Sequence, residues 1–509
     1  MAPDLPTVTG AGEPAASRAR LLRAGLTQYA LLAGPLLSML DSSIVNVAIE
    51  PIARALHTSI ATAQWTVSGY LLALGAGLAA TAYLARRFGT LAVYRASVAA
   101  FTLASALCAL APGIGLLIAA RAVQGLVAAP LVPLAMSMLL GKPGNARSIS
   151  PAAGIMLFAA PALGPVVGGL LIGSTPAAGG YLAGWRLIFA VNLPLGALAA
   201  WAAARLPDSI APSAGAPRPG RRRGVDFDLP GLIVLAAGLT STLAGISEGG
   251  TDGWARPACW GPLGGGVALL AGYAWWAGRL ARRGGTPALD LSLARSAVPA
   301  LSMGLCALAS VVTWASLFLL PVFAQSVQGH SALAAGVALA PQGVVMGLST
   351  GLGTRFLTRF TVRWTVLVGF VVLAGASLGL LLVEVTTPLW VIAVILACRG
   401  VSIGLIINPL LFALTGPLPE ERMADASTLF NVLQRVAGSI GIGLLAALYT
   451  SLVPAGGPAS ALHVTGIVVS CVAAAGIAGA LVLPPIRNTD PRRTSPRPAS
   501  LGRTVPAER

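Results

Sequence analysis

Residues 297–323 read AVPALSMGLCALASVVTWASLFLLPVF, a run of 27 residues without a charged side chain. A helix of this length rises about 1.5 Å per residue, which is enough to cross the roughly 30 Å hydrocarbon core of a bilayer. Apolar and polar residues do not alternate in it, which argues against a strand of a membrane barrel. The run therefore predicts a membrane-spanning helix.

Similar stretches recur along the whole chain, and we count fourteen. Of its 509 residues, 56% are hydrophobic and 10% are charged, whereas a soluble domain is about 25% charged. The sequence therefore predicts an all-α polytopic membrane protein. The predicted spans are 27–49, 63–84, 92–110, 113–138, 148–173, 186–205, 229–247, 258–279, 297–323, 331–354, 363–383, 387–413, 427–452 and 462–484.

The basic residues predict how these spans are oriented. With fourteen spans, 27 of the 33 Lys and Arg residues fall on the side of the two termini, and basic residues near span ends favour the cytoplasmic side. We therefore expect a multi-pass protein of the cytoplasmic (inner) membrane with both termini in the cytoplasm. The net charge of +17 follows from this topology and from contact with lipid headgroups, so we expect no nucleic-acid partner. The six exceptions are Arg54 and Arg256 in outer loops and Arg121, Arg186, Arg399 and Arg435 in or beside spans.

One internal break divides the spans into groups. Residues 206–228 are rich in Pro, Gly and Arg and follow the sixth span. Six spans, an inserted pair and six more spans indicate two related bundles of the kind used for alternating access. The predicted parts are a disordered cytoplasmic tail (1–24), an N-terminal bundle (25–205), a cytoplasmic linker (206–228), two inserted helices (229–279), a cytoplasmic loop (280–296), a C-terminal bundle (297–485) and a second disordered tail (486–509).

Asp41 is the only one of sixteen acidic residues that lies well inside a predicted span. It lies about 12 Å below the outer end of the first span, and Arg121 in the fourth span falls at nearly the same depth. A charge inside a bilayer is costly unless it is paired. The two side chains are therefore predicted to pair, and protonation of the acid would break the pair. A static salt bridge that only fixes helix packing is the alternative.

Small residues follow one face of the fifth span. Ala160, Gly164 and Gly168 recur every four residues, and Pro165 removes one backbone hydrogen bond. Such a face allows a neighbouring helix to approach closely and to move. Simple tight packing explains the spacing equally well.

Six motifs, in this order and at these positions in the spans, carry a resemblance to a known family. They are LDSSIVNVAI (40–49), RAVQG (121–125), GPVVGG (164–169), WRLIFAVNLPLG (185–196), LPVFAQSVQG (320–329) and QRVAGSIG (434–441). With them the chain resembles the fourteen-span drug/proton antiporters of the major facilitator superfamily over residues 27–484.

The resemblance implies a function for some of these residues. Asp41 matches the acid associated with proton coupling and Arg121 its basic partner, while Gly164, Pro165, Gly168 and Gly169 match the antiporter motif. It implies export of small, mostly lipophilic organic compounds, driven by the proton gradient without a cofactor or a metal. An exporter of one endogenous metabolite and a ligand sensor that does not transport are the alternatives. We expect a monomer and no enzyme activity, since phosphate-loop and hydrolase motifs are absent from the sequence.

The loop after the second span departs from the family. Relatives usually carry an acid in a cytoplasmic gate where this chain reads ARRFGT, so that Arg86, Arg87 and Gly89 are the gate residues here. The usual ion pair cannot form with Arg86. Either gating is weaker, or it uses Glu420, Glu421 or Asp425. A second departure is Glu50 before Pro51, which is an ordinary loop carboxylate or a proton relay to Asp41.

We expect cargo to bind between the two bundles near the midplane. Aromatic rings and amides offer adaptable contacts to amphipathic molecules. The candidates are Asn46, Trp65, Tyr70, Gln124, Trp314, Phe318, Asn408, Asn431 and Gln434.

Overall fold

The chain is a bundle of long apolar helices. The computed structural model describes residues 13–140, 151–174, 184–207, 228–252, 256–285, 287–416, 418 and 420–487. Within these ranges, 11 helices are long and apolar enough to cross a membrane. One of the 11 contains the last two predicted spans, and the fifth and eighth spans are helices too. All fourteen predicted spans are therefore helical.

The helices correspond to the spans in chain order. Spans one to six are Glu13–Ile44, Ile60–Ala63 with Trp65–Phe88, Thr90–Leu110, Ile114–Ala128 with Leu131–Leu140, Pro151–Gly173, and Gly184–Ala190 with Asn192–Ala204. Spans seven and eight are Leu229–Asp252 and Pro257–Arg282. Spans nine to twelve are Ala297–Ser326, Ala332–Arg359, Val362–Leu378 with Gly379–Leu382, and Leu389–Thr415, and Glu420–Val482 contains spans thirteen and fourteen.

The structure differs from the sequence prediction at both ends of the chain. The first helix begins at Glu13, so residues 13–24 are helical although they were predicted as part of a disordered tail. Spans thirteen and fourteen follow each other without the predicted loop, because the reversal is confined to Gly457 at φ 77° between two prolines. Residues 1–12 and 488–509 of the predicted tails and residues 208–227 of the linker lie outside the described residues.

The inserted pair packs on the C-terminal bundle. Spans seven and eight contact each other, and span seven also contacts span thirteen and, more weakly, span two. Leu239, Leu243 and Ile246 of span seven belong to the apolar core of the C-terminal bundle. The architecture is thus two six-helix bundles with two added helices on one side.

Because the spans alternate in direction, both described termini lie at one end of the molecule, which we call the termini end. The bundles meet closely in the opposite, distal half. There Gly169 of span five lies against the Leu333 backbone of span ten, and Gly336 lies against the Pro165 backbone. In addition, Gln325 Nε2 donates to the Val47 carbonyl across the two bundles at 3.1 Å. The distal half is therefore sealed in this conformation.

Candidate functional site

Asp41 and Arg121 form an ion pair inside the N-terminal bundle. Arg121 Nη1 lies 2.5 Å from Asp41 Oδ2. The Arg121 side chain is 1% exposed and the Asp41 side chain is 0% exposed. Two helices at matched depth thus bring the charges together where water cannot reach them. A pair of this kind is costly to split, because either charge left alone would remain desolvated.

Other polar groups complete the shell of the carboxylate. Gln124 Nε2 and Asn192 Nδ2 donate to Asp41 Oδ1 at 3.2 and 2.6 Å. Gln124 is three residues after Arg121 on one helix face, and it also bonds to Ser105 Oγ at 2.7 Å. Asp41 therefore accepts hydrogen bonds from spans four and six and joins three helices of one bundle.

Arg121 keeps partners besides the carboxylate. Its Nε donates to the Thr66 carbonyl at 3.0 Å, and Nη1 also donates to Gln124 Oε1 at 2.6 Å. The guanidinium lies 4.1 Å from the ring centroid of Tyr70 and 5.6 Å from that of Phe189. Aromatic faces stabilise a desolvated cation. These contacts would therefore hold Arg121 in place if Asp41 lost its charge.

The face of span five that carries Gly164 and Gly168 packs on span one. A methyl group added at Gly164 would overlap Ser43 Oγ, and one at Gly168 would lie 2.8 Å from Ile44 Cγ1. Gly169 faces span ten in the other bundle instead. The glycine motif therefore contacts both the helix that carries Asp41 and the opposite bundle.

A cavity of about 220 Å³ lies between the bundles. Of the nine cargo candidates it is lined by Asn46, Trp314 and Gln434. The cavity also exposes Arg435 and Gln342, which were not predicted as cargo residues.

The other six candidates lie outside this cavity. Tyr70 and Gln124 belong to the shell of Arg121, as described above, and Phe318 is buried in the apolar core. Trp65 Nε1 bonds to Ser247 Oγ of span seven at 3.4 Å. Asn431 Nδ2 bonds to the Ser427 carbonyl of its own helix at 2.8 Å, and Asn408 is absent from the lining as well.

The termini end has a second cavity, of about 470 Å³, between span two and span thirteen. Arg86 and Asp425 both line it. At its rim Arg422 Nη2 of span thirteen bonds at 2.8 Å to Asp290 Oδ2, in the loop that follows the inserted pair. Gly89 lies in the turn after span two at φ 89°, a backbone conformation that residues other than glycine rarely adopt.

Residues 31–442 match the family model described as the Major Facilitator Superfamily. The chain belongs to this superfamily. It is a family of membrane transporters and not of enzymes.

Its relatives include proteins named for drug resistance. A multidrug resistance protein B homolog of Mycobacterium tuberculosis is 32% identical over 81% of this chain and 73% of its own length. The tetracenomycin C resistance and export protein of Streptomyces glaucescens is 27% identical over 84% and 76%. The puromycin resistance protein of Streptomyces alboniger is 29% identical over 82% and 80%.

A solved structure shares the fold. The crystal structure of a bacterial homolog to the human lysosomal transporter Spinster, in an inward-facing and occupied conformation, superposes with a TM-score of 0.58. The match covers 90% of this chain and 96% of the other at 17% identity. At that identity the match speaks for the major facilitator fold alone.

The two halves of this major facilitator protein differ at their buried arginines. Arg399 of span twelve is 0% exposed, like its counterpart Arg121. Its Nη2 donates to Ser377 Oγ at 2.8 Å and its Nη1 to the Val312 carbonyl at 3.4 Å. Among the described residues no carboxylate pairs with it. In the part of the chain that the structure describes, the buried arginine of the N-terminal half therefore has an acidic partner and that of the C-terminal half does not.

Sequence reasoning missed several polar partners. Asn192 was quoted only within a family motif, yet its amide forms one of the two shortest bonds to Asp41. Arg435 was noted as a basic residue in a span but not as part of the cavity. Depth along a helix can be read from the sequence, but the direction in which a side chain faces within a bundle cannot. An amide directly after the apolar run 187–191 of that motif was the available signal for Asn192.

Proposed function

We propose that this chain exports small, mostly lipophilic organic compounds across the cytoplasmic membrane in exchange for protons. The observation that carries the proposal is the Asp41–Arg121 pair, which is fully buried inside the N-terminal bundle. The relatives named for resistance to drugs and antibiotics support the cargo class. The bias of basic residues supports cytoplasmic termini, in which case the sealed distal half faces outward.

Protonation of Asp41 is the proposed coupling step. The ionised carboxylate holds span one to spans four and six through Arg121, Gln124 and Asn192. A neutral acid no longer attracts the guanidinium, while Arg121 keeps its bonds to Thr66 and Gln124. Span one is then free to shift along the glycine face of span five.

Span one also connects the proton site to the cargo site. Asp41 faces the interior of the N-terminal bundle, whereas Ser42 and Asn46 line the central cavity. Movement of this helix therefore changes the cavity when the carboxylate changes charge. A helix with the two sites on different faces provides the coupling that alternating access requires.

Transport into inside-out vesicles tests the proposal. An imposed proton gradient should drive uptake of some members of a panel of dyes, antibiotics and metabolites, and collapse of the gradient should release them. Asp41→Asn should abolish gradient-driven uptake because the carrier of the proton is gone. Glu50→Gln is the matched control, since Glu50 lies in the short helix Ile49–Ala55 just after span one and pairs with exposed Arg54.

Two results would contradict the proposal. Uptake that survives collapse of the gradient would exclude antiport, and undiminished driven uptake by Asp41→Asn would exclude this residue as the proton carrier. Equal loss in Glu50→Gln would make Glu50 a required relay.

Export of one endogenous metabolite is the second candidate. The small size of the central cavity and the few polar groups in its largely apolar lining favour it, because ligand sites commonly reach about 300–1,000 Å³. Uptake of several unrelated compounds in the same panel would decide for a multidrug exporter.

A further inference from the structure

The central cavity has a positive charge and no negative one. Arg435 of span thirteen lines it, and none of its described lining residues is Asp or Glu. Asp41 is on span one as well, but it is 0% exposed and paired with Arg121 inside the N-terminal bundle. A molecule in this cavity therefore meets a cation whose charge no carboxylate of the lining offsets.

Three polar atoms around the cavity lack a partner within the protein. They are Asn46 Oδ1, Gln342 Oε1 and Arg435 Nε. Asn46 and Gln342 are each 3% exposed, so bulk water does not compensate for the missing bonds. An unsatisfied buried group of this kind costs about 1–3 kcal/mol. All three belong to side chains that line the cavity, so a polar ligand toward which these side chains turn can satisfy them.

The rest of the lining suits an apolar or aromatic body. The Arg435 guanidinium lies 5.4 Å from the ring centroid of Trp314, and Met39, Leu317 and Leu339 complete the apolar wall. An aromatic acid can place its ring among these side chains and its carboxylate on Arg435. Its hydroxyl group can donate to the oxygen of Gln342 or Asn46.

We propose that the cargo site selects organic anions, specifically amphipathic acids that carry an apolar or aromatic body and a hydroxyl or N–H donor. The inference rests on the proposed function, because it takes the central cavity as the cargo site. It narrows that function from lipophilic compounds in general to acids recognised by Arg435.

Equilibrium binding to the full-length protein in lipid nanodiscs tests this inference without any gradient. The probes are 6-hydroxy-2-naphthoate, whose hydroxyl is too far from its carboxylate to bond to it, and the corresponding neutral amide, at a pH where the acid is ionised. A charge-assisted bond to Arg435 should make the acid bind about ten- to a hundredfold more tightly than the amide. Arg435→Gln should remove that preference, mainly by weakening acid binding, and leave amide binding within about twofold.

Two further variants isolate the charge and the hydroxyl contact. Arg435→Lys keeps the charge and should retain most of the preference for the acid. Gln342→Leu should weaken binding of 6-hydroxy-2-naphthoate but not of 2-naphthoate, which lacks the hydroxyl donor. Arg54→Gln removes an exposed cation far from the cavity and should change neither affinity.

Several results would overturn the inference. They are equal affinities for acid and amide in the unmodified protein, tighter binding of the cationic dye ethidium, or equal loss of both probes in a folded Arg435→Gln variant. If that variant fails to fold, loss of the acid preference in folded Arg435→Lys together with an unchanged Gln342→Leu would overturn it. Failure of proton-driven uptake with intact acid binding would instead refute only the proposed function.

Discussion

Removal of the Asp41 charge should destabilise the protein strongly, and removal of its partner should reverse much of the loss. In Asp41→Asn, Arg121 stays 1% exposed and loses its carboxylate. Its bonds to the Thr66 carbonyl and Gln124 Oε1 remain, so the loss is chiefly that of the charge pair. Breaking a buried pair from one side costs about 3–5 kcal/mol.

A second substitution, in Arg121, tests whether the two charges stabilise the protein as a pair. Asp41→Asn with Arg121→Gln removes both charges, so no uncompensated ion remains in the bundle. We expect the double variant to be about 2–3 kcal/mol more stable than the sum of the single losses predicts. The free energy of unfolding is measured by titrating the purified protein in mixed micelles with a denaturing detergent.

A surface pair provides the control cycle. Glu50 and Arg54 form an ion pair in which the Arg54 side chain is 76% exposed. Solvent screens such a pair, so its cycle should give a coupling energy below about 1 kcal/mol. If the Asp41 and Arg121 losses add to within about 0.5 kcal/mol, the two residues do not act as a unit, and the coupling step proposed above fails with them.

Two other perturbations test the packing of span five and the ion pair between Asp290 and Arg422. Gly164→Ala should impair transport and lower stability because its methyl group overlaps Ser43 Oγ, whereas Gly173→Ala on the same helix meets open space and should do neither; vesicle uptake and thermal unfolding compare them. Although burial favours the neutral acid, hydrogen bonds from Ser292 and Arg422 hold the pKa of Asp290 below its ordinary value. The Asp290–Arg422 pair should therefore contribute its full stability above about pH 4 and lose it as the pH falls through the lowered pKa of the folded state. In Asp290→Asn the free energy of unfolding, measured against pH, should vary less over that range.

Hydropathy and length were sufficient to predict the helices. The charge-free run at 297–323 forms Ala297–Ser326, and every other predicted span is helical too. Boundaries were harder where local chemistry decides them. A single glycine between Pro454 and Pro458 reverses the chain, and hydropathy cannot distinguish so short a turn from a loop of several residues.

The ion pair was accessible to sequence reasoning because depth is set by residue count alone. Facing was not, as Gln124 illustrates: it was predicted to contact cargo but lies one helical turn from Arg121 and bonds to Asp41. Arg435 is the opposite case, because it was noted as a charge in a span and faces the cavity. Which face of a helix meets a cavity depends on packing between helices that are distant in sequence.

Among the described residues, Asp41 is the only carboxylate that lies well inside a span, and under the proposed exchange for protons this limits the work available per transport cycle. Under the proposed exchange, one proton that enters down an inside-negative membrane potential of 100 mV releases about 2.3 kcal/mol, enough to hold a neutral compound at an outside-to-inside ratio of about fifty. An anion that leaves as the proton enters moves a second charge in the favourable direction. The voltage then supplies about 4.6 kcal/mol and a ratio of about two thousand. Under the proposed exchange, one proton carried by a single acid can therefore sustain a much larger concentration ratio for an anionic cargo than for a neutral one.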